Sequence, residues 1–147
     1  MMYKIKGFTL IELLVVIAII GLLATLAVVA FGNARERARD AKRLSDINAM
    51  KKAIELYYQA NGEYPDACNP SVGCPATDLD PLLSAYLPII PVDPTNTGVF
   101  EYYYARHPSD GDRYALRVSL EDGTRCKTGT NPNPAWWGPT HPVICDF

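Results

Sequence analysis

The sequence lacks the patterns that mark the common enzyme classes. It contains no GxSxG, HExxH or phosphate-binding GxxxxGK motif, in each of which fixed spacing brings a nucleophile, a metal or a phosphate to its partners. Its two histidines, His107 and His141, each precede a proline, a context typical of turns. We therefore expect no catalytic residue and no enzymatic activity.

Strong charge of either sign is also missing. The formal net charge is −2 at pH 7, whereas nucleic-acid-binding domains typically carry a basic excess, so we expect no specific nucleic-acid partner. Calcium is the metal to consider, since Asp110, Asp112 and Asp122 lie close together in the sequence. Their spacing does not match a D-x-D-x-D-G loop that ends in glutamate, and aspartate is common in turns. We therefore expect no cofactor and no bound metal.

Charge is absent altogether from Leu13 to Phe31, where Thr25 is the only polar residue. As a helix this run is about 28 Å long, which is enough to cross the hydrocarbon core of a bilayer. It is longer than the apolar region of a secretory signal, and no small-residue cleavage site follows it. The run therefore predicts a membrane helix that stays in the mature protein.

Proline and glycine are absent from Ala34 to Ala60. In this stretch apolar residues recur at three- and four-residue steps, which predicts an amphipathic helix; they are Leu44, Ile47, Met50, Ile54 and Tyr57 or Tyr58. Asn61 and Gly62 provide a C-cap, and Pro65 prevents the helix from resuming. We expect one continuous helix from the apolar run to this cap.

The remaining sequence predicts a loop and a small sheet. Prolines interrupt residues 62–98, which indicates a long loop with one helical turn at Asp80–Tyr86. Apolar and polar residues alternate in 100–104 and 114–120, which predicts two strands joined by a turn, and shorter strands are expected near Thr124–Lys127 and Val143–Cys145. The predicted fold class is α+β, a long N-terminal α-helix with a small antiparallel β-sheet packed on its C-terminal half.

Four cysteines all lie in the predicted globular part of the chain. An even number favours disulfides outside the cytoplasm, and four cysteines allow three pairings. We favour Cys68–Cys74 with Cys126–Cys145, because each bond closes a loop that otherwise lacks regular structure. A zinc site is the alternative, although the chain has no CxxC pair and its histidines lack ligand-like spacing.

Glu12 is a carboxylate at the beginning of the apolar helix. Left unpaired in lipid, it would cost several kcal/mol. It is either hydrated at the membrane interface or paired with a cation. A cut between Gly7 and Phe8 would create such a cation, because the new amine lies about one helical turn from Glu12. Between two staggered chains, the amine of one would neutralise Glu12 of the other and set a register for assembly.

The segment from Lys6 to Glu12, followed by the apolar run, resembles the processing site of type IV prepilins and type II secretion pseudopilins. The shared features are a basic residue, Gly7, Phe8, and a glutamate as the fifth residue after the cut. Residues 57–65 and 91–94 also look like this family. The resemblance implies that a prepilin peptidase cuts after Gly7 and methylates Phe8.

The resemblance further implies a domain organisation and a function. Residues 1–7 would be the leader, 8–33 the transmembrane or filament-core helix, and 34–147 the globular domain. The globular domain would comprise an amphipathic helix (34–61), a loop (62–98), and a sheet with a disulfide-closed tail (99–147). The chain would be a structural subunit of a type IV pilus-like filament. Its partners would be other copies of itself, the peptidase, the assembly machinery and, before assembly, the inner membrane.

Two departures from the family pattern bear on this function. The apolar helix has no central proline, so any unwinding on assembly would depend on Gly21. The acidic calcium loop of major pseudopilins is not recognisable, and Cys126 and Cys145 stand in its place. That tail resembles true pilins and favours a pilus subunit, with a type II secretion pseudopilus subunit as the alternative.

A basic stretch follows the apolar run and contains Arg35, Arg37, Arg39, Lys42 and Arg43. The positive-inside rule alone would place it in the cytoplasm. The resemblance and the cysteines favour the opposite topology, with the globular domain outside the cytoplasm and Lys4 and Lys6 inside. The stretch is then either a solvated helix face or a contact for acidic surfaces of neighbouring subunits.

Overall fold

The computed structural model of the chain describes residues 7–68, 73–107, 109, 111–130 and 143–145. The chain divides into two compact units, Met1–Arg37 and Ala38–Phe147. In chain order the elements are α1 (Leu10–Asn61), β1 (Cys74–Pro75), a 3₁₀ turn (Ala76–Leu79), α2 (Asp80–Leu83), β2 (Tyr103–Arg106), β3 (Tyr114–Ser119), β4 (Arg125–Gly129) and β5 (Val143–Ile144).

The predicted continuous helix is confirmed. α1 extends over 52 residues and includes both Gly21 and Gly32 without interruption. It ends at the predicted cap, where Gly62 adopts a φ of 78° that suits glycine. The Gly62 amide donates to the Tyr58 carbonyl at 2.8 Å, and the Asn61 side chain donates to the Tyr57 carbonyl at 2.9 Å. These bonds satisfy carbonyls that a helix end otherwise leaves unpaired.

The first unit contains the apolar half of α1. Among the described residues, α1 is the one helix long and apolar enough to cross a membrane, with a mean hydropathy of 3.1 in its most apolar stretch. Within the described part of the chain, none of that stretch is buried. Large apolar side chains such as Ile11, Leu22 and Phe31 therefore remain exposed.

The second unit has its own hydrophobic core. One stripe of α1, formed by Ile47, Met50 and Ile54, is fully buried, as the periodicity predicted. It packs in one cluster with side chains of the 3₁₀ turn, of α2 and of the sheet, among them Leu79, Leu83, Tyr104, Leu116 and Val118. The amphipathic half of α1 thus supplies one wall of this core, and its other face stays open.

The sheet has five strands in the order β1-β2-β3-β4-β5. Strands β1 to β4 pair antiparallel, with Tyr104 opposite Leu116 and Val118 opposite Cys126. The predicted α+β class with an antiparallel sheet is therefore confirmed. β5 pairs with β4 in parallel. β1 was not predicted, because a two-residue strand that includes a proline shows no alternation of apolar and polar residues.

The second face of the sheet is less exposed than simple alternation predicted. Ala115 and Ser119 lie on the face of β3 opposite Leu116 and Val118, yet only 1% and 3% of their surfaces are exposed. Ala115 packs with Ala105 and Tyr103, and the Ser119 hydroxyl donates to the Val99 carbonyl at 2.9 Å. Ala115 and Ser119 are small enough for neighbouring groups to cover them. The alternation of apolar and polar residues in a strand does not predict this burial.

The structure contains two disulfides, Cys68–Cys74 and Cys126–Cys145, and no free cysteine. They are the two pairs that loop closure favoured in the sequence. The first links the loop after α1 to β1. The second links β4 to the residue that follows β5, so it holds the parallel strand at the edge of the sheet.

We expect the two disulfides to contribute unequally to stability. They close loops with sequence separations of 6 and 19, and the loss of chain entropy in the unfolded state grows with loop length. Replacing Cys126 and Cys145 by serine should cost about 3 kcal/mol of unfolding free energy, against about 2 kcal/mol for Cys68 and Cys74. Chemical denaturation of the full chain in detergent tests this; a larger loss from the shorter loop would contradict it.

Candidate assembly site

The beginning of α1 is organised around Thr9 and Glu12. The Thr9 backbone amide and hydroxyl donate to Oε2 of Glu12 at 2.8 and 2.7 Å, and the Glu12 amide donates to the Thr9 hydroxyl at 3.3 Å. This reciprocal pattern is a capping box, in which a threonine before the helix and a glutamate three residues later satisfy each other's amides. Glu12 therefore has local partners within one chain.

Thr9 is a residue of this site that the sequence interpretation missed. A threonine followed three residues later by a glutamate, just before an apolar run, is a recognised signal for a helix N-terminus, and it was present in the sequence. The carboxylate of Glu12 remains exposed. Its negative charge also lies near the positive end of the helix dipole, which favours it.

Gly7 and Phe8 precede α1 and lie outside regular structure. Phe8 is 81% exposed. A Cβ atom placed on Gly7 would meet no atom of the described chain within 4 Å, so packing within the chain does not require glycine at this position.

The apolar surface of α1 next to this site has no cover within the described chain. Leu13, Leu14, Ile17 and Ile20 are each at least half exposed, and the same holds further along the helix for Leu23 and Leu26. An apolar area of this extent marks a surface that contacts lipid or other protein. The site thus combines an accessible segment at Gly7–Phe8, a capped carboxylate and an uncovered apolar helix.

Arg43 lies at the centre of a second polar cluster, in the other unit. Its side chain is fully buried and forms a bidentate ion pair with Asp93. Nε donates to Oδ2 at 2.7 Å and Nη2 donates to Oδ1 at 3.0 Å. Its Nη1 also donates to Asp40 and Glu121 at 2.8 and 2.7 Å. The guanidinium carbon lies 4.6 Å from the centre of the Phe100 ring. One side chain of α1 therefore joins the loop before β2 and the turn after β3.

This cluster corrects the interpretation of the basic stretch as a solvated face for Arg39 and Arg43, whereas Lys42 is exposed as that interpretation expects. Arg39 pairs with Glu121 at 2.6 Å and Arg43 is buried, while Arg35 and Arg37 are exposed. Residue 43 lies one helical turn before Ile47 and so shares the buried face of α1. The predicted apolar stripe begins at Leu44 and does not include Arg43, because an arginine is seldom fully buried.

Asp46 occupies a similar position next to the Arg43 cluster. It is 3% exposed and accepts hydrogen bonds from Lys42 at 2.6 Å and from the Tyr102 hydroxyl at 3.1 Å. Burial and the nearby carboxylates of Asp46 and Asp93 raise the pKa of Tyr102. The hydroxyl therefore stays protonated and continues to donate.

No group of three or more histidine, cysteine, aspartate or glutamate side chains within the described residues is arranged to hold a metal ion. Asp122 accepts a hydrogen bond from the Thr124 amide at 2.8 Å, which closes the turn between β3 and β4. Asp112 is exposed. Asp110 and His141, also considered in the sequence, lie outside the described residues.

Comparison with known proteins identifies the relatives of this chain. Residues 2–28 match the family model of the prokaryotic N-terminal methylation motif. The type II secretion system core protein G of Escherichia coli (strain K12) is 32% identical over 141 residues, which is 92% of each chain. The chain belongs to the type IV pilin and type II secretion pseudopilin family.

Other relatives of this pilin-family chain match over a shorter length. The type IV major pilin protein PilE1 of Neisseria gonorrhoeae is 39% identical over 74 residues, which is 50% of this chain and 35% of that protein. The core protein G of Aeromonas hydrophila is 43% identical over 60 residues, 41% of this chain and 42% of that protein. No solved structure gives a significant match.

In this pilin-family chain we expect Arg43→Met to cost about 3–5 kcal/mol of unfolding free energy, because the substitution leaves the buried Asp93 carboxylate without its cation. Arg35→Met is the matched control, since Arg35 is exposed on the same helix; it should change stability by less than about 0.5 kcal/mol. Chemical denaturation of the full chain in detergent, followed by near-ultraviolet circular dichroism, measures both. An equal loss of unfolding free energy in the two variants would show that the Arg43–Asp93 ion pair does not stabilise the domain.

Glu121 predicts a pH dependence. Hydrogen bonds from Arg39 and Arg43 lower its pKa from 4.5 to about 2. A depressed folded-state pKa stabilises the fold above the unfolded-state value, and this stabilisation is lost as the pH falls through the window between the two. We expect Glu121→Gln to be less stable at neutral pH and to lose less stability between pH 4.5 and 2 than the wild type. Chemical denaturation of both proteins across this pH range measures the effect. An equal loss of unfolding free energy between pH 4.5 and 2 in the two proteins would contradict this.

Proposed function

We propose that this chain is a structural subunit of a type IV pilus-like filament, cut between Gly7 and Phe8 and polymerised through its N-terminal helix. The observation that carries the proposal is the site at the beginning of α1. An accessible Gly7–Phe8 segment lies just before α1, and the Glu12 carboxylate in the first turn of α1 directly precedes an apolar run that nothing in the described chain covers.

The processing step follows from the family. A prepilin peptidase would cut after Gly7 and methylate the new amine of Phe8, and residues 1–7 would be the leader. The match of residues 2–28 to the N-terminal methylation motif supports this step.

The assembly step depends on Phe8 and Glu12. Within one chain, Thr9 satisfies the Glu12 carboxylate, so an unassembled subunit can hold this residue at the membrane interface without a cation. After cleavage, the Phe8 amine of an incoming subunit provides a charged partner for Glu12. An ion pair is stronger in an apolar setting than in water, so the filament core favours the exchange and sets the register.

The membrane would hold the subunit before assembly. Residues 8–33 would form a single transmembrane helix, and residues 34–147 would form a globular domain outside the cytoplasm. The two disulfides support that location, because such bonds persist in oxidising compartments. In the filament, other helices replace lipid around the apolar half of α1, so its area stays buried throughout.

A subunit of a type II secretion pseudopilus is the alternative function. One observation favours it: the core protein G of Escherichia coli matches over 92% of both chains, whereas the Neisseria gonorrhoeae pilin matches over 50% of this chain. The tail closed by Cys126 and Cys145 favours the pilus. In either case the partners are other copies of the chain, the peptidase and the assembly machinery.

Mass spectrometry of material sheared from the surface of the native cell tests the proposed function. We expect a chain that begins at N-methylated Phe8, is abundant in the sheared fraction and carries both disulfides. A cleaved chain that stays with the envelope would favour the pseudopilus. A mature chain that retains Met1–Gly7 would contradict the proposal.

Two variants separate processing from assembly in the same experiment. Gly7→Glu should leave the leader attached. Glu12→Gln should be cleaved normally and yet be missing from the sheared fraction, because the incoming amine loses its charged partner. Glu36→Gln is the matched control, since it removes an exposed carboxylate from the same helix beyond the apolar run. Normal filaments from Glu12→Gln would exclude the assigned role of Glu12.

A further inference from the structure

The outward face of α1 in the second unit carries an open groove of about 570 Å³. It is lined by Asn48, Lys51, Lys52, Glu55, Leu56 and Gln59, and we call this surface the helix groove. It lies on the opposite side of α1 from the buried stripe of Ile47 and Ile54. Leu56 retains 46% of its exposure there, and Lys52 is exposed one turn before it.

A second exposed apolar surface lies on the loop between α2 and β2. Ile89 and Val92 are 78% and 53% exposed. Val92 borders a cavity of about 250 Å³ whose walls include Pro91 and Tyr102, with the partly exposed Glu101 also lining it. We call Ile89, Val92 and this cavity the loop surface.

The Arg43 cluster fixes the loop surface in place. Asp93, the residue after Val92, is buried and ion-paired with Arg43. Its Oδ1 also accepts a hydrogen bond from the Thr95 amide at 2.8 Å. The exposed side chains of Ile89 and Val92 therefore lie on a loop that the Asp93–Arg43 ion pair holds against α1. Rigid presentation of this kind lowers the entropy cost of binding.

We propose that the helix groove of one copy of this chain receives the loop surface of a second copy, with Lys52 of the first paired with Glu101 of the second. Both surfaces are exposed in the single chain, so neither covers the other. A lysine has an apolar stem and a charged tip, which suits a cavity walled by proline, valine and tyrosine side chains and lined also by a carboxylate. Leu56, one turn from Lys52, then faces Val92.

The choice of a second copy rests on this complementarity of charge and apolar surface within one sequence. Because the two surfaces are different, the contact is heterologous, and such contacts repeat into open helical assemblies rather than closed pairs. The inference rests on the proposed function, since a filament supplies the neighbours. The apolar helices pack in the filament core, and this second contact would join neighbouring globular domains. It would select one orientation of each globular domain relative to the next.

Charge reversal in cells that assemble the full chain tests the contact. We expect Lys52→Glu and Glu101→Lys each to lower the amount of subunit in the sheared fraction about tenfold, because each places like charges together. Cells that make both single variants should recover most of the wild-type amount, since the groove of each variant then matches the loop surface of the other. Asp112→Lys, an equal charge change in an exposed turn, is the control and should assemble normally.

A direct measurement on wild-type filaments keeps the test independent of folding. Arg117 lies within electrostatic range of Glu101, so Glu101→Lys also places a second cation near Arg117. The amount of the Glu101→Lys protein in the membrane is therefore compared with the amount of the wild type, as a check on folding. A carbodiimide joins a lysine to a carboxylate only where they touch. We expect the covalent dimer from treated wild-type filaments to contain a peptide linked through Lys52 and Glu101.

The outcomes separate this contact from the proposed function. Wild-type filaments whose dimers lack the Lys52–Glu101 link would overturn the contact alone. So would single variants that assemble normally, or a recovery seen only when both changes are in one chain. A wild-type chain that forms no filament at all would overturn the proposed function, and the contact with it.

Discussion

The apolar half of α1 is the constraint on which the rest of this protein depends. From Leu13 to Phe31 it carries no charge, and nothing in the described chain buries it. Such a surface cannot remain in water, since each apolar Å² costs about 25 cal/mol there. Lipid or the helices of other subunits must surround it. The membrane-bound subunit and the filament are two solutions to the same requirement, which explains how one helix can serve both.

A helix that is apolar all round packs without a preferred register, so polar groups must supply the specificity. In the proposed filament Glu12 would supply it, and the capping box with Thr9 gives this carboxylate local partners in a single chain. The same division recurs in the globular unit. Apolar residues of α1 build the core, while the buried pair of Arg43 and Asp93 determines where the loop before β2 lies. A buried ion pair adds little net stability, but its geometry is demanding.

The family membership shows how these features are combined. A type II secretion protein matches over 92% of the chain and several pilins match over about half of it, and residues 2–28 match the N-terminal methylation motif. The loop surface and the helix groove both lie outside residues 2–28, which match the N-terminal motif.

The long helix, its cap at Asn61 and Gly62 and the α+β class could be predicted from the sequence, because periodicity, uninterrupted apolar length and capping signals act between neighbouring residues. The resemblance to prepilins implied the candidate processing roles of Gly7 and Phe8. The partners of Arg43, the strand β1 and the parallel pairing of β5 were decided only by the tertiary structure. Asp93 and Glu121 are distant from Arg43 in the chain, and a two-residue strand has no pattern of its own. Such contacts exist only once the sheet has closed over the helix, because their energy comes from groups that the sequence keeps far apart.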